Sequence, residues 1–409
     1  MTGVDVHMAY LYGKLDEEIY MCQPKGFIAR GQESKVIKLQ RALYGLKQAR
    51  LAWWKELTQS MKTLGFSHLN SDTGIYVCRE GTEIILAVVY VDDAMFLGKN
   101  TVAVDRKKAL FMAKWECQDL GDVTEFLHMQ VKRKGLDVTI DQIDYLKKVL
   151  DKFQMTNAKA ALTPLPGNWD PRENQGKAMA AEITRYQSII GSLLYLMIGT
   201  RPDISYAVTH LSQFSTNPSE DHYKAALDVC CYLVGTQDYK LVYLNKSDKG
   251  LCAYADSDWA ADKIRQQSVT GFFFKLARGV ISWWSHTQKT VALSSMEAEY
   301  MAISDCSKQA IWIKALLSEI RIWLKSVPIY GDNQGSIFIA SNPVQESHTK
   351  HIDIWYHFIC DLISAKKVEL MFVPGEMNPT DMFTKNLAKV KFAKFWEELG
   401  LDFGSTKNP

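Results

Sequence analysis

The sequence predicts a multidomain chain that mixes α/β and α+β segments, and three observations predict it. The last third runs as three successive strand patterns, a helix, a strand, more helix and a last strand, the order of a mixed five-stranded sheet with covering helices. The first third holds the apolar, β-branched run "TEIILAVVYVDDAMFLG", interrupted only by Asp92 and Asp93, which predicts a β-hairpin with the two aspartates at its turn. Between the two lies "TPLPGNWDPRENQGKAM", residues 163–179, whose three prolines and two glycines read as a linker.

The elements follow in chain order. Asp5, in "GVDVHMAYLYGKL", follows a short apolar start and is placed to end a strand beside the hairpin. "RALYGLKQARLAWWKELTQSMKTLGF" has helical spacing through Leu51, Trp54, Leu57, Met61 and Leu64. Downstream of the linker, Ile183 to Thr236 reads as several helices. "GLCAYADSDWA", "GFFFKLARG" and "VISWWSHTQKTVALSS" are the three successive strands; a helix starts near Met296, and "VPIYGDN" and "VELMFVP" are the remaining strands. The domain boundaries expected from this are 1–162, a linker at 163–180, a connecting helical region at 181–247, a sheet domain at 248–390 and a tail at 391–409.

Composition narrows the classes. The 409 residues are 47% hydrophobic and 23% charged, ordinary for a folded soluble protein. A formal charge of +2 means that any nucleic-acid-binding surface is local. The eight cysteines form no C-x-x-C pair, which points to reduced thiols rather than a zinc ribbon or a disulfide framework. The longest apolar runs, Ile84–Val91 and Ile189–Ile198, are too short to span a bilayer, and no secretory signal or membrane partner is expected.

Two carboxylate sets carry the chemistry. Adjacent aspartates at a hairpin tip are costly unless cations hold them, and hard divalent ions take oxygen ligands while leaving room for a phosphate. A two-ion site needs a further carboxylate, for which Asp5 is the candidate. The motif order Asp5-Val6 to Ala9-Tyr10, "GKLDEEIYMCQPKGF", "LYGLKQA", "YVDD", then "EFLHMQVKRKG", "TPLPG" and "RYQSIIGSLLYLMIGTRPDISYAVTHLSQF", resembles the Pol polyprotein of copia-type LTR retrotransposons across nearly the whole chain. The resemblance implies a reverse-transcriptase palm and thumb-like region in which Asp5, Asp92 and Asp93 hold two Mg²⁺ ions, with Mn²⁺ as a substitute. Tyr10 would gate the incoming sugar; Tyr44, Gly45, Lys47, Gln48 and Tyr90 would line the nucleotide and template pocket, Gly45 by allowing close backbone approach. An RNA template, a DNA primer and dNTPs are the partners that follow. Arg50-Leu51 stands where the family has Pro-Arg, and the chain starts close before Asp5, so a truncated polymerase of impaired activity is expected.

The second set is Asp256, Glu299, Asp332 and Asp381, each at a strand end or early in a helix. With "TGFFFKLARGVISWWSHTQKTVALSSMEAEY", they resemble the retroviral-type RNase H domain, which implies two Mg²⁺ ions and cleavage of the RNA strand of an RNA–DNA hybrid. Ser294-x-x-Glu297 has capping-box spacing, so Glu297 takes a structural part and Glu299 the metal-binding one; Asp256 is preferred to Asp258 by the resemblance. The domain lacks the histidine that some relatives carry before the last aspartate. His348, His351, His357 and Cys360 are zinc-ligand types, but they fall in one short helical run without the usual paired spacing. Trp53, Trp54, Trp283 and Trp284 read as core. The Ser, Tyr and His residues of the connecting region read as packing and caps. The alternative to an enzyme is an inactive relic of the element that at most binds nucleic acid, suggested by the chain start, Arg50-Leu51 and the acidic and cysteine residues Asp228, Cys230 and Cys231. The family places such a protein in the cytoplasm, within a virus-like particle, or in the nucleus.

Overall fold

Alternating apolar residues build the sheets seen in a computed structural model, which describes residues 1–28, 30–167, 169, 172–245, 250–262, 265–341 and 350–403, with no side-chain description for 350–356 or 403. The chain divides into one compact unit of residues 1–127 with 315–322 and another of residues 128–314 with 323–409.

The first unit contains strands β1 (Thr2–Val6), β2 (Tyr20–Cys22), β3 (Val36–Lys38), β4 (Phe66–His68), β5 (Ile75–Glu80), β6 (Glu83–Tyr90), β7 (Asp93–Gly98), β8 (Cys117–Asp122) and β9 (Glu125–Phe126), and helices α1 (Ala49–Thr63) and α2 (Thr101–Met112). A six-stranded sheet runs β4-β5-β6-β7-β1-β8, with every neighbouring pair antiparallel. Val4, Val6, Tyr76, Ile85, Ala87, Ala94 and Phe96 from its strands meet Trp53, Leu57 and Met61 of α1 and Val104 and Phe111 of α2 in one core. The helix face differs from the expected one. Leu51 is 55% exposed and Trp54 is half-buried, because Trp53, Leu57 and Met61, four residues apart, form the face turned to the core.

The second unit begins its sheet earlier than the linker suggested. Strands β10 (Met129–Lys134), β11 (Asp137–Asp141), β12 (Tyr239–Tyr243) and β18 (Leu401–Phe403) lie side by side, each antiparallel to the next. The expected division at 162 therefore cuts a ladder that joins residues on both sides of it. The expected C-terminal tail contains helix α10 (Lys389–Glu398), with Phe392, Phe395, Trp396 and Leu399 buried. Helices α3 (Ile143–Lys152), α4 (Ala180–Gly199), α5 (Ser205–Ser212) and α6 (Glu220–Gly235) share that core with Phe273, Val280, Met382 and Phe383. The connecting region's polar residues are caps and ties. Ser219 Oγ accepts from the His222 amide and His222 Nδ1 accepts from the Ser219 amide. Fully buried Arg201 is paired with Asp203 at 2.7 Å, and Asp203 also accepts the Tyr232 hydroxyl at 2.6 Å.

The remaining sheet is the mixed five-stranded one expected: β13 (Cys252–Asp262), β14 (Gln267–Leu276), β15 (Gly279–Thr287), β16 (Val327–Gly331) and β17 (Val368–Phe372), in the order β15-β14-β13-β16-β17. The first two pairings are antiparallel and the last two parallel. Helices α7 (Ser295–Glu319), α8 (Gln334–Ser341) and α9 (Lys350–Ser364) supply the crossovers. Trp53 is buried as expected and Trp283 is half-buried, its indole donating to the Met197 carbonyl, but Trp284 is 56% exposed because its position on β15 faces outward. Of the four zinc-type side chains, Cys360 is buried and donates to the Ala340 carbonyl and His357 is exposed; His348 and the His351 side chain lie outside the described residues. No helix among the described residues is long and apolar enough to cross a membrane.

Candidate active sites

In the first unit the hairpin forms as the sequence predicts. Tyr90 and Asp93 pair across β6 and β7, leaving Val91 and Asp92 as the turn. β1 runs beside β7 with Asp5 directly opposite Asp93, and the Val6 amide donates to the Asp92 carbonyl at 2.8 Å. The turn is strained. Val91 has φ +57°, a left-handed conformation that a β-branched residue rarely adopts. The Trp53 indole donates to the Val91 carbonyl at 2.7 Å and holds it.

The predicted nucleotide residues are partly gathered here. The Tyr10 and Tyr44 rings lie 4.6 Å apart, and burial, followed by the negative charge of Asp92, raises the Tyr44 hydroxyl above its usual pKa. Burial and then Asp5 push the Cys117 thiol, on β8, up to about 11. Tyr90 and Lys47 are exposed, and Gln48 donates to Glu17 at 2.6 Å. Gly45 has φ +95° and open space around it, so the turn's backbone requires glycine there and no close packing within the chain does. Asp5, Asp92 and Asp93 are half-buried. Among the described residues they do not form a set whose ligand atoms all lie within 4.8 Å of one another.

The second unit does form such a set, from Asp256, Glu299 and Asp332. Parallel pairing of β13 with β16, Ala253 opposite Ile329 and Tyr254 opposite Tyr330, sets the middle of β13 beside the carboxyl end of β16; β13 runs on to Asp262, so Asp256 is a mid-strand residue and not the strand end expected. Asp256 lies just beyond this pairing on β13, and Asp332 follows β16. Glu299 comes from the second turn of α7, and its Oε1 accepts the Ser257 amide at 3.2 Å. Glu297 takes a capping part, with a shift of one residue from the predicted box: its amide donates to Ser294 Oγ, and its carboxylate accepts the Leu293 amide at 2.7 Å.

Asp381 reaches the same neighbourhood by a separate route. The Asn378 side chain donates to the Ala255 carbonyl at 3.1 Å and accepts the Thr380 amide, and Pro379 starts the 3₁₀ turn that carries Asp381. Gly271 stands opposite Asp256, where a Cβ would lie 2.6 Å from Phe383, so this turn can lie flat on the sheet. Asp381 is only 2% exposed, yet it is not one of the three converging ligands. Lys385 lies 2.6 Å from its Oδ1, and Lys391 of α10 pairs with its Oδ2.

Several supporting residues carried no signal in the sequence. The Thr384 hydroxyl donates to Asp256 Oδ2 at 2.6 Å. The buried Gln288 amide donates to Thr270 and to the Ala298 carbonyl, both at 2.9 Å, tying the sheet to the start of α7. Gly375 leaves room for Asp332, since a Cβ there would stand 2.8 Å from its Oδ2. Threonine, glutamine and glycine are ordinary structural residues, and only the fold shows which atoms they touch.

The electrostatics of the cluster ask for a cation. Burial pushes the Asp256 carboxyl up to about 7; Lys385 opposes this, and Asp381 and Asp332 add to it. Burial likewise raises Glu299 well above the usual carboxylate range and raises Asp332 and Asp258. Glu299 is 7% exposed and Asp256 2%. Two buried carboxylates and a half-buried third, converging on one point, fit a hard divalent ion, which takes oxygen ligands.

The family model of reverse transcriptase (RNA-dependent DNA polymerase) matches residues 1–166. The Retrovirus-related Pol polyprotein from transposon TNT 1-94 of Nicotiana tabacum is 36% identical over 407 residues, covering 97% of this chain and 30% of that polyprotein. The transposon Ty5-1 protein of Saccharomyces cerevisiae is 33% identical over 304 residues, covering 74% of this chain and 98% of the relative. A foamy viral protease-reverse transcriptase, solved in complex with dsDNA, is similar over 91% of this chain and 67% of its own, at 10% identity and a TM-score of 0.47. The chain spans less than a third of the TNT 1-94 polyprotein. With the motifs from Asp5 to Asp381 in their expected order and a third of the residues shared with these relatives over most of its length, the chain belongs to the copia-type retrotransposon Pol family.

Proposed function

We propose that this chain is a polymerase–nuclease segment of a retrotransposon Pol protein, and that its second unit cleaves the RNA strand of an RNA–DNA hybrid with Mg²⁺ as the resident ion. The observation that carries this reading is the convergence of Asp256, Glu299 and Asp332 within 4.8 Å, where the middle of β13 meets the carboxyl end of the parallel β16. A divalent cation held by these carboxylates would supply charge neutralisation and Lewis acidity to a phosphodiester. The chain's own groups orient the ligands: Thr384 fixes one oxygen of Asp256, the Ser257 amide fixes Glu299, and Gln288 locks the helix that carries Glu299. In the first unit, Asp5, Asp92 and Asp93, with the Tyr10–Tyr44 pair beside them, are the polymerase carboxylates and the nucleotide platform in this reading, with an RNA template, a DNA primer and dNTPs as ligands.

The test is cleavage of a labelled RNA–DNA hybrid with Mg²⁺ by the full chain and by Asp332→Asn. Cleavage of the RNA strand by the parent chain, reduced on the order of 10²–10³-fold in the variant, is expected. Equal background from both overturns the nuclease reading and favours the inert relic.

A further inference from the structure

Asp381 is the one carboxylate of the predicted four that the geometry sets apart. Both of its oxygens are engaged by ammonium groups from its own C-terminal side: Oδ1 by Lys385 at 2.6 Å, and Oδ2 by Lys391. The lysines are not casual surface partners. Lys385 sits four residues after Asp381 on the same turn, and its backbone amide donates to the Asp381 carbonyl at 3.1 Å. Its neighbour Thr384 donates to Asp256, so the Thr384-Lys385 pair places a hydroxyl on one acid and a cation on the next. The charge of Lys385 acts on Asp256 and Asp258 as well as Asp381. Lys391 reaches in from α10, which the buried Phe392, Phe395 and Trp396 fix in the core. A second divalent ion would need Asp381 as a ligand, and both Asp381 oxygens already carry a positive partner.

We propose that Lys385 is a positioning residue that occupies the place of a second cation, so that this site loads one divalent ion, on Asp256, Glu299 and Asp332, while Lys385 and Lys391 hold Asp381. This deepens the nuclease reading and rests on it for the identity of the reaction, but not for the count of ions. A fixed ammonium carries one charge where a second ion would carry two, and it need not be recruited from solution. Replacing Lys385 with an uncharged side chain of similar length frees Asp381 Oδ1 and leaves Lys391 as the one ammonium paired with Asp381, which opens the second position.

The experiment counts bound Mn²⁺ by the loss of the free-ion electron paramagnetic resonance signal. It uses the full chain carrying Asp92→Asn and Asp93→Asn, which removes the N-terminal carboxylates as another source of bound ion. One Mn²⁺ per chain is expected in this background, two after Lys385→Met, and one after Lys385→Arg, which keeps the charge. Two ions with the native lysine present, none at all, or a count of one in a Lys385→Met variant that retains a cooperative melting transition would overturn the proposal. If Lys385→Met does not fold, the native count and the arginine variant still decide it: two ions in either overturns it. Hybrid cleavage is read separately on the chain with native Asp92 and Asp93. Absent cleavage with a one-to-two change in ion count sinks the nuclease reading and leaves the lysine inference standing; cleavage with two ions in the native site does the reverse.

Discussion

The two carboxylate sets solve the same problem in opposite ways. In the first unit, Asp92 and Asp93 stand on a hairpin turn and Asp5 on the neighbouring strand, all half-buried, and strain rather than burial marks the site. In the second unit, Asp256, Glu299 and Asp381 are almost wholly buried, each delivered by a different element and locked by hydrogen bonds. A half-buried carboxylate keeps part of its hydration and can wait for its ions. A buried one must be neutralised by a proton, a lysine or a metal at every moment. The second unit is therefore a site whose electrostatic demand is built into its core, and Lys385 and Lys391 already meet part of that demand.

The largest effects break the contrast at the buried site. Glu299→Gln removes a ligand-type carboxylate, and hybrid cleavage is expected to fall on the order of 10²–10³-fold. Glu297→Ala, two residues away, removes the side chain that accepts the Leu293 amide and is expected to cost only about 0.5–1 kcal/mol of stability, with cleavage unchanged. Steady-state cleavage and thermal melting of both variants check this. Similar cleavage losses in the two would show that Glu297 has a chemical part as well.

A middle-sized effect follows from the raised carboxyls. Asp256 has an ordinary unfolded-state pKa near 3.8 and is pushed up to about 7 in the fold, so the folded chain holds more protons between those values. The stability tied to this group is complete below about 4 and is lost as pH rises through about 7. Glu299 and Asp332, also raised by burial, act with the same sign. Metal-free protein is expected to melt at a lower temperature at pH 8 than at pH 5, with Mg²⁺ restoring much of the difference, and Asp256→Asn is expected to flatten the dependence. Each kcal/mol moves the midpoint by roughly 2–4 °C in a unit of this size. A pH-independent midpoint in the metal-free chain would contradict the buried, cation-demanding cluster.

How far the sequence could see follows the same division. The hairpin was legible because local pattern alone dictates it: β-branched residues on both sides of two aspartates leave few other placements. The mixed sheet was legible for the same reason, as was the choice of Glu299 over Glu297, since capping-box spacing is local. The fold's long-range ties were not legible. Nothing local says that Met129–Lys134 and Leu401–Phe403 belong to one ladder, because antiparallel pairing across more than a hundred residues leaves no spacing signal. Nor does a spacing rule show which side chains an acid meets: the sequence groups Asp381 with Asp256, Glu299 and Asp332, and only the fold shows Lys385 and Lys391 on its two oxygens. Trp53 and Trp54 show the limit at single-residue scale, since a shift of one position along the helix decides which ring enters the core.

The smallest effect sharpens the other half of the comparison. If the first site stores strain where the second stores unneutralised charge, the strain is at Val91, held at φ +57° by its pairing neighbours and by the Trp53 indole. Glycine ordinarily destabilises a strand-like position by roughly 0.5–1 kcal/mol relative to alanine, because it has more backbone freedom to lose. A left-handed backbone reverses that order, since a Cβ there costs roughly 1–2 kcal/mol and glycine has none. Val91→Ala and Val91→Gly both delete the valine side chain, so the difference between them isolates the backbone. Val91→Gly is expected to be the more stable by about 1 kcal/mol, and Trp53→Phe, which keeps most of the ring but loses the indole donor, to cost about 1 kcal/mol. Thermal melting of the three variants decides it: an alanine variant more stable than the glycine one would mean that the turn carrying Asp92 is unstrained, and that the contrast between a strained site and a charged one fails at its first term.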